Sequence, residues 1–275
     1  MQELPSGGST AVDTVAPADA NARWNIWLLL VVVLLGLIAL YGLQLIVGLA
    51  DMVAFMGRHY AYATSPVFVN KIRNYDPATV NQVFSAGSLA FAVAIAELAM
   101  AAIGYLLARS FFGATNAQLG LGLRLSPALI GLGIIAGAAL WFVSAIVGGA
   151  QAKIFGEHPQ MVEQIFQLHK DAWSITYDFL GACVVAPICE EFFFRGIIFT
   201  GLAQRLPLVW AAIISGVVFA GAHADLWALV PLSAIGVGLA YLYHRTKSLW
   251  PNIIAHFTVN TTSLFLIHAF PQLAK

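Results

Sequence analysis

Seven stretches of this chain run close to the length of a membrane-spanning helix with scarcely a charge in them. They are Trp24 to Leu49, Phe84 to Ala108, Pro127 to Ala150, Tyr177 to Ala203, Leu208 to Ala222, Leu226 to Tyr243 and Leu249 to Phe270. A helix needs about 20 apolar residues to cross a bilayer, and in lipid its backbone polar groups must be satisfied internally. Hydrophobic residues make up 60% of the sequence and charged residues only 9%, against about 25% charged in soluble domains. The pattern predicts an all-α polytopic membrane helix bundle, multi-pass in the cell membrane. About seven transmembrane helices are expected, or eight if a longer segment divides.

Organisation follows from what separates the runs. Residues 1–22 are small and polar, with three acids, two prolines and no basic residue. They lack the positive start of a signal peptide and are expected to form a disordered tail before an uncleaved first helix. Residues 23–150 then hold the N-terminal transmembrane helices. Residues 151–275 hold the remainder, with helices from about 177, in the same single membrane domain. The fifth run is short, so its ends are expected in a protein-lined cavity. Arg109 to Leu125 reads as a loop; Ala50 to Val83 and Gln151 to Thr176 are longer connections. In the latter, Met161, Ile165, Phe166 and Leu168 suit an amphipathic surface helix. Glycines at 131, 133, 137, 148, 149, 236 and 238 suggest close helix packing. Net charge is zero and no charged block appears, so nucleic acid has no support as a partner. The positive-inside rule returns a tie between the two sides.

Against this background one cluster stands out. Glu190-Glu191-Phe192-Phe193-Phe194-Arg195 lies inside the fourth run. A charge at mid-membrane costs roughly 2.5 to 3.5 kcal/mol on insertion scales, so such groups must pair or do chemistry. Glu191 and Arg195 are spaced i, i+4 and can pair along one face. Glu190 points about 100° away, toward other helices. Pro187 either kinks the helix or opens a half-helix with Glu190 in its first turn. At 1.5 Å per residue from the turn at Arg205-Leu206-Pro207, Glu190 lies at roughly 22 Å and His223 at roughly 24 Å. His256 falls at roughly 12 Å and Asn260 at roughly 18 Å, so these groups share a band roughly 12 Å deep on three helices. His256 and Asn260, like Phe219 and His223, are i, i+4 pairs. Glu190 could serve as general base on a water also held by His223. His256 and Asn260 could donate to a developing oxyanion. That set suits peptide hydrolysis.

The same residues resemble a known pattern. Glu190-Glu191-Phe-Phe-Phe-Arg195, Phe219-Ala-Gly-Ala-His223 and His256-Phe-Thr-Val-Asn260 look like the three motifs of the CPBP family. These are the CAAX-protease or Abi intramembrane endopeptidases. The resemblance covers about Tyr177 to Phe270, so residues 151–275 read as a CAAX-protease-like catalytic core. It implies an intramembrane endopeptidase with Glu190, His223, His256 and Asn260 as catalytic residues. Glu191, Arg195 and Phe219 would support them. The implied partners are the lipid bilayer and a peptide or lipidated protein substrate. Family members are often named metalloproteases, and Glu190, His223 and His256 could ligate zinc. The absence of a His-Glu-x-x-His helix and the poor ligand quality of Asn favour a metal-free, glutamate-activated water with no cofactor.

Each residue also has a plainer reading. Glu191 with Arg195 can be a structural pair, His223 a helix-end residue near Asp225, and His256 with Asn260 interhelical hydrogen-bond glue. Phe192, Phe193 and Phe194 read as packing. Cys183 and Cys189, six apart in an apolar run, read as core residues rather than a disulfide. Rival functions are a non-catalytic immunity or scaffold protein of the same fold, and a proton-coupled transporter. No internal repeat supports the transporter.

Overall fold

The computed structural model describes residues 24–74, 76–122, 125–158 and 160–270; the tail expected over residues 1–22 lies outside the described residues. Among the described residues every regular element is helical. In chain order these are α1 (Ile26–Arg58), the short α2 (Tyr60–Ala63), α3 (Pro66–Arg73) and α4 (Pro77–Val83), then α5 (Ala86–Phe112), α6 (Pro127–Phe155) and α7 (Met161–Leu168). A composite helix follows, built from α8 (Ala172–Asp178), a first π-helical stretch (Phe179–Val185), α9 (Ala186–Glu190), a second π-helical stretch (Glu191–Phe199) and α10 (Thr200–Ala203). The chain closes with α11 (Leu208–Gly221), α12 (Leu229–Thr246) and α13 (Leu249–Ala269).

Each expected span is thus a helix, and α7 lies where the amphipathic helix was expected. The boundaries follow from capping. Asn25, Ser85, Ser126 and Ser248 each accept a backbone N–H of the turn they open, satisfying donors a helix start leaves bare. Gly113 ends α5 in the left-handed conformation, φ 61°, which costs glycine little. The segment expected to be a loop from Arg109 starts four residues later, at Gly113, because α5 runs on to Phe112.

Helices α1, α5 and α6 are each long and apolar enough to cross a membrane unaided. Much of their apolar surface points outward, including Leu34, Ile38, Leu45 and Ile46 on α1 and Ile135, Phe142 and Ile146 on α6. In lipid that outward face carries no penalty, and association falls to packing and polar contacts. α1 lies along α5, α11 along α12, and α6 along both α12 and α13. The composite helix occupies the middle, touching α5, α11, α12 and α13. Its second π-helical stretch is almost wholly buried, from Glu191 through Phe199.

Glycine sets the closest approaches, though not at every position expected. A Cβ on Gly104 would lie 2.7 Å from the Phe193 ring, and Gly36 faces that same ring. Phe193 therefore fills a notch made by α1 and α5. A Cβ on Gly137 would lie 2.5 Å from the Ala255 carbonyl oxygen of α13, and one on Gly236 2.7 Å from Gly216 Cα. Gly133 and Gly238 are likewise crowded, by Ile254 and by Leu140. Gly131, Gly148 and Gly149 have nothing within 4 Å of the Cβ position, which corrects their expected packing role. They lie on open faces of α6, and spacing alone does not say which face of a helix a neighbour will use.

The crossing of α11 and α12 at Gly216 and Gly236 is backbone against backbone. Gly236→Val should cost about 1 to 3 kcal/mol by overpacking and lower the thermal unfolding midpoint in detergent. Gly221→Ala, on the same helix pair but in open space, should leave that midpoint unchanged or raised.

Candidate active site

The composite helix supplies the charged cluster, and its wide turns decide how those charges are displayed. Pro187 neither opens a half-helix nor breaks the segment: Val185 through Glu191 keep right-handed helical dihedrals. Proline has no N–H to give, and here π-helical turns flank it on both sides. Thr200 Oγ1 donates to the Arg195 carbonyl at 3.0 Å, and Ser215 Oγ donates to the Phe194 carbonyl at 3.3 Å. Side-chain hydroxyls thus take up carbonyls that the irregular turns present. Such turns advance less per residue than an α-helix. Glu190 therefore sits closer to the level of His256 than a uniform rise predicts.

Glu191 is the centre of the polar network. It is 0% exposed, as is Arg195. Arg195 Nη1 donates to Glu191 Oε1 at 2.9 Å, and Asn252 Nδ2 donates to Oε2 at 3.2 Å. His256 Nδ1 lies 2.9 Å from Glu191 Oε1. A carboxylate facing that nitrogen fixes it as the protonated one. Arg195 extends the network with Nη2 donating to the Gly236 carbonyl at 3.2 Å, and its guanidinium lies 4.3 Å over the Phe219 ring. Asn252 Nδ2 also donates to the Leu239 carbonyl at 2.7 Å. One carboxylate thereby ties together the composite helix, α12 and α13.

Glu190 faces elsewhere, as its spacing predicts. It is 8% exposed, with its Oε2 3.9 Å from His256 Nε2. Because His256 Nδ1 is held by Glu191, Nε2 is the nitrogen left for chemistry. On its other side the Glu190 carboxyl meets that of Glu97 from α5.

Phe219 joins the motifs that sequence separates. It is 1% exposed, edge-on to Phe194, His223 and His256 at centroid distances of 5.3, 5.1 and 5.7 Å. His223 follows α11 in the turn toward α12. Its Nδ1 lies 3.0 Å from the Phe219 carbonyl, an acceptor, so Nδ1 carries the hydrogen and Nε2 presents a lone pair. His223 is exposed and reaches the cluster through Phe219. Asp225 does not pair with it; its Oδ1 accepts from Trp227 N and Ala228 N. Asn260, half-buried, donates from Nδ2 to the Ala182 carbonyl at 2.7 Å, which docks α13 onto the first π-helical stretch. The second hydrogen of that amide is left for another acceptor.

The zinc alternative would draw on Glu190, His223 and His256. Glu190 Oε2 and His256 Nε2 stand 3.9 Å apart, His223 touches His256 only through the Phe219 ring, and no group of three or more His, Cys, Asp or Glu among the described residues is set to hold a metal ion. Phe193 and Phe194 are core residues, and Cys183 and Cys189 are buried free thiols.

Two members of the site escaped the sequence analysis. Asn252 sits one turn before His256 on the same face of α13, and i, i+4 spacing was the available signal. Glu97 is an acid inside an apolar span, which is itself the mark of a functional group.

Removing one partner of a buried pair leaves the other charge uncompensated, typically at about 3 to 5 kcal/mol. Glu191→Ala should therefore lower the folded yield and unfolding midpoint sharply. Glu190→Gln, which leaves the Arg195 pair intact, should fold like the parent; circular dichroism melts in detergent test both.

Comparison with known proteins bears on the same region. Residues 172–262 match the Rce1-like family, described as type II CAAX prenyl endopeptidase Rce1-like. The chain is 34% identical over 141 residues to a Bacillus subtilis (strain 168) protein named "Putative membrane peptidase YdiL". That match covers 48% of this chain and 55% of the relative. No solved structure matches.

Proposed function

Residues 172–262 carry the Rce1-like CAAX-endopeptidase family's match, and from that premise we propose that this integral membrane protein is an intramembrane endopeptidase. It hydrolyses a peptide bond of a lipidated or membrane-associated substrate with a water activated by Glu190. The observation that carries the reading is the division of labour between adjacent glutamates. Glu191 is consumed by Arg195, Asn252 and His256, whereas Glu190 Oε2 is buried without a hydrogen-bond donor beside the free nitrogen of His256.

In this mechanism the Glu190 carboxylate takes a proton from water as the water oxygen bonds to the substrate's carbonyl carbon. His223 Nε2, a lone pair in the tautomer set by Phe219, accepts a hydrogen bond from the O–H that the water keeps. The carbonyl π-electrons move onto oxygen. The resulting oxyanion is met by the unused Nδ2 hydrogen of Asn260 and by His256, which donates from Nε2 when its ring is protonated. Glu191 steadies that imidazolium as the carboxylate partner of its Nδ1–H. Collapse of the intermediate breaks the C–N bond, and the proton held on Glu190 passes to the departing amine. Atoms and charge balance without a metal.

Support for the substrate class comes from the setting. The reacting groups lie within a helix bundle whose outer face is apolar, which suits a peptide delivered from the bilayer. A fluorogenic prenylated CAAX peptide tests this directly, alongside peptidomics of membranes carrying the wild type or Glu190→Ala. Glu190→Ala should abolish Glu190-dependent cleavage, and Asn260→Ala should lower kcat by about 10² to 10³. Full activity in purified Glu190→Ala would overturn the mechanism; an intact cellular phenotype with that variant would favour a scaffold or immunity role.

A further inference from the structure

Glu97 belongs to α5, in the half of the chain without any of the three motifs, yet it ends at the reacting carboxylate. It is 5% exposed. It shares a helix face with Met100, Gly104 and Ala108, all buried, and that face packs on the composite helix at Phe193 and Ile197. Helix α5 packs on α9, which ends at Glu190, and the Glu97 carboxyl faces that of Glu190. One oxygen of each, Glu97 Oε2 and Glu190 Oε2, is buried with no donor against it.

Two ionised carboxylates offer only acceptors, and in a buried contact they repel. The arginine of the cluster, Arg195, is already bound to Glu191. A single proton between the two groups removes both problems: the repulsion becomes an O–H···O⁻ hydrogen bond, one of the stronger kinds. Carboxyl pairs in contact at active sites hold one proton between them for this reason. The groups facing the pair are His256 from α13, at 3.9 Å from Glu190, and the Cys189 thiol from α9. His256 Nδ1 is already turned to Glu191, so the Glu97 hydroxyl is the donor placed to orient Glu190.

We propose that Glu97 is a positioning residue of this site, a neutral carboxylic acid that donates its O–H to Glu190 and aims that carboxylate at the reacting water. The proposal rests on Glu190 being the base. It makes α5 part of the active site and assigns the N-terminal helices a role beyond anchoring.

The test has two arms. In the first, Glu97→Gln, whose amide N–H can still donate, should keep kcat on the prenylated fluorogenic peptide within about threefold of wild type. Glu97→Ala should lower kcat by about 100-fold through misplacement of the base, with KM little changed. Equal kcat and KM in Glu97→Ala and wild type, with Glu190→Ala inactive, would overturn the proposal while sparing the proposed function. The second arm does not depend on cleavage. Infrared spectra of wild type labelled with carbon-13 at glutamate side chains should show a neutral-carboxyl C=O stretch that Glu97→Gln removes and Glu191→Gln does not. Absence of that band in wild type overturns the proposal whatever the activity, and it remains readable if Glu97→Ala fails to fold.

Discussion

The buried pair of Glu191 with Arg195 is the interaction the rest of the structure depends on. Two fully buried charges inside an apolar bundle are costly unless every lone pair and hydrogen is met. Here the compensation is distributed: Asn252 and His256 come from α13, the Gly236 carbonyl from α12, and the Phe219 ring from α11. Satisfying the pair therefore locates three other helices around the composite one. The contact of Gly236 with Gly216 is part of this arrangement, since only a close crossing there lets the Gly236 carbonyl reach Arg195 while α11 presents Phe219.

The same pair frees Glu190. With Arg195 and the first nitrogen of His256 committed to Glu191, Glu190 Oε2 is left without a hydrogen-bond partner. The two adjacent acids divide into one that holds the polar network and one whose Oε2 has no hydrogen-bond partner, because successive helical residues face different helices. Phe219 has a similar double role. Its ring closes the cation over Arg195 and spaces His223 from His256, so an apolar side chain sets the separation of two imidazoles.

Much of this was legible in particular residues. The Glu191–Arg195 pairing and the outward turn of Glu190 follow from i, i+1 and i, i+4 geometry, which is local. The apolar runs located every major helix, since lipid leaves a backbone few alternatives. Less legible were features that depend on a partner. The wide turns that follow Glu190 shorten its rise from the Arg205 turn, and a uniform helical rise misses them. Asn260 spends one amide hydrogen on Ala182, a carbonyl exposed by an irregular turn. Three of the marked glycines face open space because helix rotation is set by neighbours.

The sequence by itself determined that this is a membrane helix bundle and which residues carry its charges. It also determined which of those residues share a helix face, because apolar length and helical period act within one segment. Only the tertiary structure decided which faces meet. Glu97 against Glu190, Asn252 and His256 on Glu191, and Phe219 among all of them are contacts between segments distant in sequence. They are fixed by packing and by the need of buried polar groups for partners, conditions that no single helix can express.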